Sequence, residues 1–373
     1  MGDLFRALEN LERSLLLDPQ NGSAAFDYAE VLFRRGQVIS ALEINNQLSE
    51  RDDLPYGMDD LIAERSRLWR PFTVQYAGGF GLSFGHDNNL NSAPVGERLT
   101  LTLSGKPISL EVSPEFRANA GSYAGFSAGV TRVQETLGLT SRVSGSFRGR
   151  FGDISDYEMV QGSFLVGLSD SAEDSRWSTV LGVDHLNFGK NAIFSSSTFR
   201  ASYRLGRYKR CSLYPTIAAQ YQHFHKQESL SGVEGSLGTE MDCQLSRADV
   251  VQRVGVAISA VENRATRSGR LGADRSGWRF NLALQKQFGA GQLLAQYVHT
   301  NLNDESGYSP IFSDGAKREE SLDSFFLRYV LPASFLGKTA QFSASVYHNE
   351  QKSTIALFKT RGTSAEIGIN WGI

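Results

Sequence analysis

At 373 residues the chain has room for two domains, and its formal net charge of −2 and pI near 6.3 exclude a nucleic-acid binder that works by neutralising phosphates. A mean hydropathy of −0.28, with no run near the roughly 18 apolar residues of a spanning helix, excludes helical membrane spans. β-Barrels escape that test, because their strands alternate apolar and polar residues; the 37 glycines and 11% aromatic residues suit one.

Met1 leads directly into Leu4-Phe5-Arg6-Ala7-Leu8, with no basic, apolar, small-residue leader. A membrane barrel without a leader has no route out of the cytoplasm, so the expectation is a truncated start. Residues 1–70 read as helices. Ala7, Leu11 and Pro19 occupy positions that tetratricopeptide repeats fill with a small residue, a large apolar one and a terminating proline. The triplet Ala7-Leu8-Glu9 recurs 34 residues on as Ala41-Leu42-Glu43, which is that repeat's period. The register is imperfect, since Leu11 maps to Asn45 and Pro19 to Asp53. Asp18-Pro19-Gln20-Asn21 separates the first two helices, Gly36 stops the second near Arg35, a third runs to about Glu50, and a fourth spans Met58 to Arg70.

Residues 71–373 read as a transmembrane antiparallel β-barrel. Trp278, Phe280, Leu282 and Leu284 share a face opposite Arg279, Asn281 and Gln285; Ile367, Ile369 and Trp371 oppose Glu366, Gly368 and Asn370. Strands are expected to begin near Thr73, Ala120, Glu135, Tyr157, Arg176, Ser197, Cys211, Gly235, Val251, Gly277, Gln292, Leu322, Thr339 and Thr363. That is about fourteen, an even number, with long connections at 86–118, 149–156, 188–196, 225–234, 263–276, 303–321 and 350–362. The alternate connections, such as Asp170 to Asp174, Phe288 to Gly291 and Ser334 to Gly337, are tight. Long loops on one rim and tight turns on the other is the outer-membrane pattern. The 86–118 loop has the makings of its own hairpin, Leu99 to Leu103 with Ile108 to Val112. The fold class is therefore α + β multidomain, a short helical segment followed by a barrel.

No residues form a catalytic, cofactor-binding or metal-ligating constellation. Asp87, Asn88, Asn89 and Asn91, after His86, form a polar loop whose residue types favour turns over ligation. His223 and His225 read as rim residues, Asp184-His185 lacks a serine partner placed by any motif, and Arg264, Arg267, Arg270 and Arg275 read as a solvated rim. Arg200, Arg204, Arg253, Arg279 and Arg328 fall on the lumen face. They either make the pore anion-favouring or pair with carboxylates across it. Cys211 opens the seventh strand and Cys243 closes the eighth. The register read from sequence leaves them several residues out of step, so a disulfide stays open.

The helical repeat, the lead-in Leu68-Trp69-Arg70, a glycine-rich first strand and the stretch Asp87-Asn-Asn-Leu-Asn-Ser-Ala-Pro94 together resemble the surface lipoprotein assembly modifier family. The resemblance implies a bacterial outer-membrane barrel of fourteen strands with its helices in the periplasm. It further implies a lipoprotein or secreted protein client bound by the helices, insertion by the barrel-insertion machinery, outer-membrane lipids around the wall, and no enzymatic activity or cofactor. The chain departs from that pattern in ending Asn370-Trp371-Gly372-Ile373 rather than on an aromatic. The layout is shared with exopolysaccharide export porins, and a general diffusion porin remains a third reading.

Overall fold

A computed structural model describes residues 4–55, 57–136, 139–170, 175–245 and 252–373. The chain divides into two compact units, the main-chain boundary falling between Tyr76 and Ala77.

The first unit carries α1 (Leu4–Leu17), α2 (Gly22–Arg34), α3 (Val38–Ser49) and α4 (Met58–Trp69). Asn21 starts α2 by accepting from the Ala24 N–H at 2.9 Å, and Gly36 ends the following turn with φ 81°. Ala29 and Ala41 have no exposed surface, so their helices approach closely around Leu8, Leu32 and Trp69. Phe33 stacks on Trp69 with centroids 4.7 Å apart. Asn45, where the sequence period places an apolar residue, is fully buried; its amide donates to the Ile62 carbonyl and Ser66 Oγ at 2.8 Å each. Those two bonds are what make a polar side chain tolerable there.

The remaining strands are β1 (Val74–Asp87), β2 (Gly121–Thr136), β3 (Leu139–Gly152), β4 (Met159–Ser169), β5 (Trp177–Phe188), β6 (Asn191–Tyr203) and β7 (Cys211–Phe224). They continue as β8 (Gly232–Gln244), β9 (Gln252–Ala265), β10 (Arg275–Phe288), β11 (Gly291–Gly307), β12 (Lys317–Pro332), β13 (Ala340–Ser353) and β14 (Thr360–Gly372). They form one 15-stranded sheet, whose fifteenth member is only the three-residue strand Gly206–Tyr208 against the base of β7, so fourteen staves close the wall. Closure comes from β14 pairing antiparallel with β1, from Gly79↔Gly372 to Asp87↔Ser364. A closed wall leaves no strand edge unpaired.

The alternation read from sequence holds. Laterally paired residues share a face, and one face carries exposed Phe84, Leu181, Ile217, Leu237, Ile258 and Ile367. Trp278, Phe280, Leu282 and Leu284 belong to it, as do Ile369 and Trp371. The other face carries arginines and carboxylates that reach over intervening strands. Arg200 of β6 bonds Glu240 of β8 past β7, and Arg279 of β10 bonds Glu234 of β8 past β9. Side chains converge in that way only on the concave side of a curved sheet, so the charged face lines the lumen.

Two expectations about connections fail. The long loop at 188–196 is instead the two-residue turn Gly189-Lys190, with φ 54° and 65°, and β6 starts at Asn191. Left-handed φ at both positions gives the twist a hairpin needs, which extends both strands to the turn. Nor do loop lengths alternate cleanly. The connections 153–158 and 354–359 are no longer than 204–210 and 333–339, and the asymmetry rests on 88–120, 266–274 and 308–316. The expected turn at Asp170 to Asp174 lies largely outside the described residues.

The cysteines are also in step. β8 begins at Gly232, earlier than its sequence pattern shows, and this centres the β7–β8 loop so that Cys211 and Cys243 are direct cross-strand partners. They form a disulfide at a Cα separation of 3.9 Å, closing 32 residues of chain at the base of the hairpin. Loops of that size are stabilised by about 2–4 kcal/mol through restriction of the unfolded chain. Reduction should therefore lower the denaturation midpoint by an amount the Cys211→Ser/Cys243→Ser double variant reproduces. Denatured, unreduced protein should show no labelled thiol.

Candidate functional site

Three of the five arginines assigned to the lumen converge on one acidic stripe of β8. Arg200 bonds Glu240. Arg253 Nε donates to both oxygens of Asp242 at 2.8 and 2.9 Å, and Arg279 reaches Glu234 at 3.0 Å and Thr300 Oγ1 at 3.4 Å. A guanidinium fork matched to a carboxylate holds both side chains against the wall. This part of the lumen is thus charge-paired, contrary to a wholly anion-favouring reading. Arg328, a lateral partner of Leu294 and Ser345, forms no ion pair or hydrogen bond among the described residues. Arg204 follows the end of β6; its N–H donates to the Arg176 carbonyl at 2.6 Å.

Across the lumen Arg150 faces Asp87 at 3.4 Å and Arg148 faces Glu366 at 3.8 Å, with Tyr123 donating to Glu366 at 3.3 Å. Beside them β1 and β2 turn a run of small residues inward: Gly79, Gly81, Ser83, Gly85, Gly125 and Ser127. At Gly81 a Cβ would meet Asn370 Oδ1 at 2.4 Å, and at Gly125 it would meet Ser83 Oγ at 2.1 Å. Glycine leaves room there for the Asn370 and Ser83 side chains of the neighbouring staves.

The polar loop after β1 is a set of clamps. Asp87 Oδ1 accepts from the Asn89 N–H at 2.8 Å, while Asn88 exchanges bonds with Thr363 of β14, its Oδ1 accepting at 2.8 Å. Asn89 is buried. Its amide donates to the carbonyls of Ala93 (3.0 Å) and Arg361 (2.9 Å), and its Oδ1 accepts from the Ala93 N–H at 2.8 Å. Asn91 ties the far end of the loop, donating to Arg117 O at 2.7 Å and accepting from the Asn119 N–H at 3.1 Å. Asparagine suits this work because one side chain offers both a donor and an acceptor.

The loop then crosses the rim. Pro94 bridges Thr360, and a hairpin (Arg98–Leu103 with Lys106–Glu111, turning at Ser104-Gly105) is tethered at Leu101 to Phe312, with Thr102 N–H donating to Ile311 O at 2.7 Å.

Beneath this rim lies a network that the sequence gives no sign of. Asp304, whose side chain has 0% exposure, receives Arg318 at 3.0 Å and Arg275 at 3.1 Å; both arginines also face Glu320. Arg318 lies against the rings of Tyr308 and Phe358, 4.9 and 4.6 Å from their centroids, and those two rings meet edge to face 5.0 Å apart. Gly272, at φ 82°, is needed beside it, since a Cβ would sit 1.9 Å from Asp304 Oδ2. Arg270 donates to Asn263 at 2.6 Å, and burial, then the nearby Arg275 and Arg318, pulls it below the usual guanidinium range. Arg264 and Arg267 are solvated, as the sequence implies, whereas Arg270 and Arg275 are drawn inward.

His185 does find a serine: Ser195 Oγ lies 2.8 Å from His185 Nδ1 and 2.8 Å from His225 Nε2. Asp184 turns to the other face and accepts from Ser163, so the three do not form a relay. Among the described residues no group of three His, Cys, Asp or Glu side chains is placed to hold a metal ion.

No family model matches the chain, and no curated protein matches it. Solved structures similar to it include an anion-selective porin from Comamonas acidovorans, with TM-score 0.41 and 10% identity over 80% of this chain and 99% of that one. A BenF-like porin from Pseudomonas fluorescens Pf-5 gives TM-score 0.39 and 9% identity, over 80% and 99%. Likeness at that level assigns this chain neither a family nor a cargo.

Two substitutions test the architecture. Asn89→Ala should cost about 1–3 kcal/mol, because it strands a buried N–H and two carbonyls. Asp304→Ala should cost about 3–5 kcal/mol, because it leaves two buried guanidinium groups to share the one carboxylate of Glu320. Urea titrations of the refolded barrel read both.

Proposed function

We propose that the protein is a bacterial outer-membrane channel that lets small hydrophilic solutes diffuse through its barrel. The observation that carries this reading is the division of the wall into an exposed apolar outer face and an inner face of arginine–carboxylate pairs, glycine and serine. Such a wall is stable with lipid outside and water inside. A soluble sandwich would instead bury the apolar face against a second sheet.

Reconstituted into a planar bilayer, the protein should give discrete conductance steps. Arg328→Glu should shift the reversal potential toward cations, while Arg253→Lys should leave its sign unchanged, since Asp242 keeps a cationic partner. A refolded barrel with no conductance would sink the channel reading. Arg at Leu282, outward at mid-strand, should cost about 2–4 kcal/mol on refolding into vesicles, and Arg at lumen-facing Asn281 far less.

A second reading, a protein-translocation factor whose helices hold a lipoprotein or secreted client, is favoured by one feature. α1 leaves Phe5, Leu16 and Leu17 at 69%, 83% and 82% exposure, an apolar surface fit for a polypeptide partner. Deleting residues 1–55 should leave conductance intact. Under this second reading the same deletion abolishes exposure of the client to external protease.

A further inference from the structure

All six histidines of the chain lie on the outward face of the wall. Each leans on a hydroxyl, a carboxylate or another imidazole. His86 meets Ser122 at 3.2 Å, His299 meets Asp323 at 2.8 Å, and His348 meets Thr363 at 2.8 Å. The other three gather on neighbouring staves. His185 and His225 share Ser195 Oγ, and the His223 ring lies 4.6 Å from that of His225.

This trio differs from the rest in what lies below it. His185, His223 and Ser195 form one end of a groove of about 1070 Å³ on the outward face, whose floor and sides are Val130, Phe147, Phe164, Val183 and Tyr221. Beyond the trio, the exposed lysines Lys190 and Lys226 stand on the turns that end β5 and β7. Around that end Asp184 turns inward to Ser163 and Glu228 is held by Arg267 at 3.5 Å, while Asp156 and Glu158 stand beside the Gly189-Lys190 turn, the Glu158 carbonyl accepting from the Gly189 N–H at 2.9 Å.

We propose that this groove binds one phosphorylated lipid. Its phosphate lies on His185, His223 and His225, beside the Ser195 hydroxyl that bridges two of the imidazoles, and its acyl chains run along Phe147, Phe164 and Val183. Imidazole N–H groups and ammonium groups are donors to phosphate. An apolar trough opening from those donors selects a lipid over the free anion, as its chains gain burial that inorganic phosphate cannot.

The inference rests on the membrane-barrel reading, and the test separates the two. The full chain is refolded into phosphatidylcholine nanodiscs, and native mass spectrometry follows the retention of dioleoyl phosphatidic acid, dioleoylglycerol and inorganic phosphate. Phosphatidic acid should be retained and the other two should not. The His185→Gln/His225→Gln variant, and separately Val183→Trp in the groove, should each weaken retention about tenfold. His299→Gln, outside the trio, should match the parent. Failure to enter nanodiscs removes the membrane reading itself. An inserted barrel that retains dioleoylglycerol equally, takes up inorganic phosphate alone, or loses as much with His299→Gln overturns the site and leaves the barrel standing.

Discussion

Everything in the barrel depends on the pairing of its first strand with its last. Fourteen strands in an open sheet would leave two rows of unpaired amides and carbonyls, which lipid cannot solvate. The β1–β14 ladder removes both rows, and the residues around it serve that contact. Glycines at 79, 81 and 85 keep the lumen side thin where neighbouring staves crowd in. Phe80 and Trp371 stack across the ladder on the outside, with centroids 5.0 Å apart. Asn88 adds one further rung beyond the ladder's last pair.

The charged groups follow from the same closure. A curved wall brings side chains from alternate strands together inside, so an arginine can find a carboxylate two staves away. The result grades from the solvated pair Arg253–Asp242 to the dry one Arg318–Asp304 under the rim. Solvated pairs contribute little to stability, but they fix where charge stands in the lumen. The dry pair is different. With a second arginine and a second carboxylate, Arg275 and Glu320, in the same network, removing any one charged member leaves the rest unbalanced.

Most of the wall was legible in the sequence, because alternation is a local property. Trp278 to Leu284 and Ile367 to Trp371 announce their faces without knowledge of any neighbour. What stayed hidden needs the register between strands. Ser195-Ser196-Ser197 breaks the alternation, so the start of β6 does not show in the sequence, and a long loop is expected where the chain makes the tight Gly189-Lys190 turn. Cys211 and Cys243 could be paired only by knowing the centre of their hairpin to one residue. The inward turn of Arg270 and Arg275 required Asp304, thirty residues on, to arrive beside them. The clamps made by Asn88, Asn89 and Asn91 were visible as turn-formers, though not as partners of Thr363, Arg361 and Arg117. The histidine trio is assembled from two strands and a serine of the strand between them, and no spacing in the chain foretells it.

The disulfide has a consequence for the chain as a covalent object. Cys211 and Cys243 bracket the rim loop 225–231, and exposed loops of this kind are where proteases cut. A nick there severs the backbone without producing two molecules. The halves stay joined through sulfur, on staves already held by their neighbours, and the wall outlasts the damage.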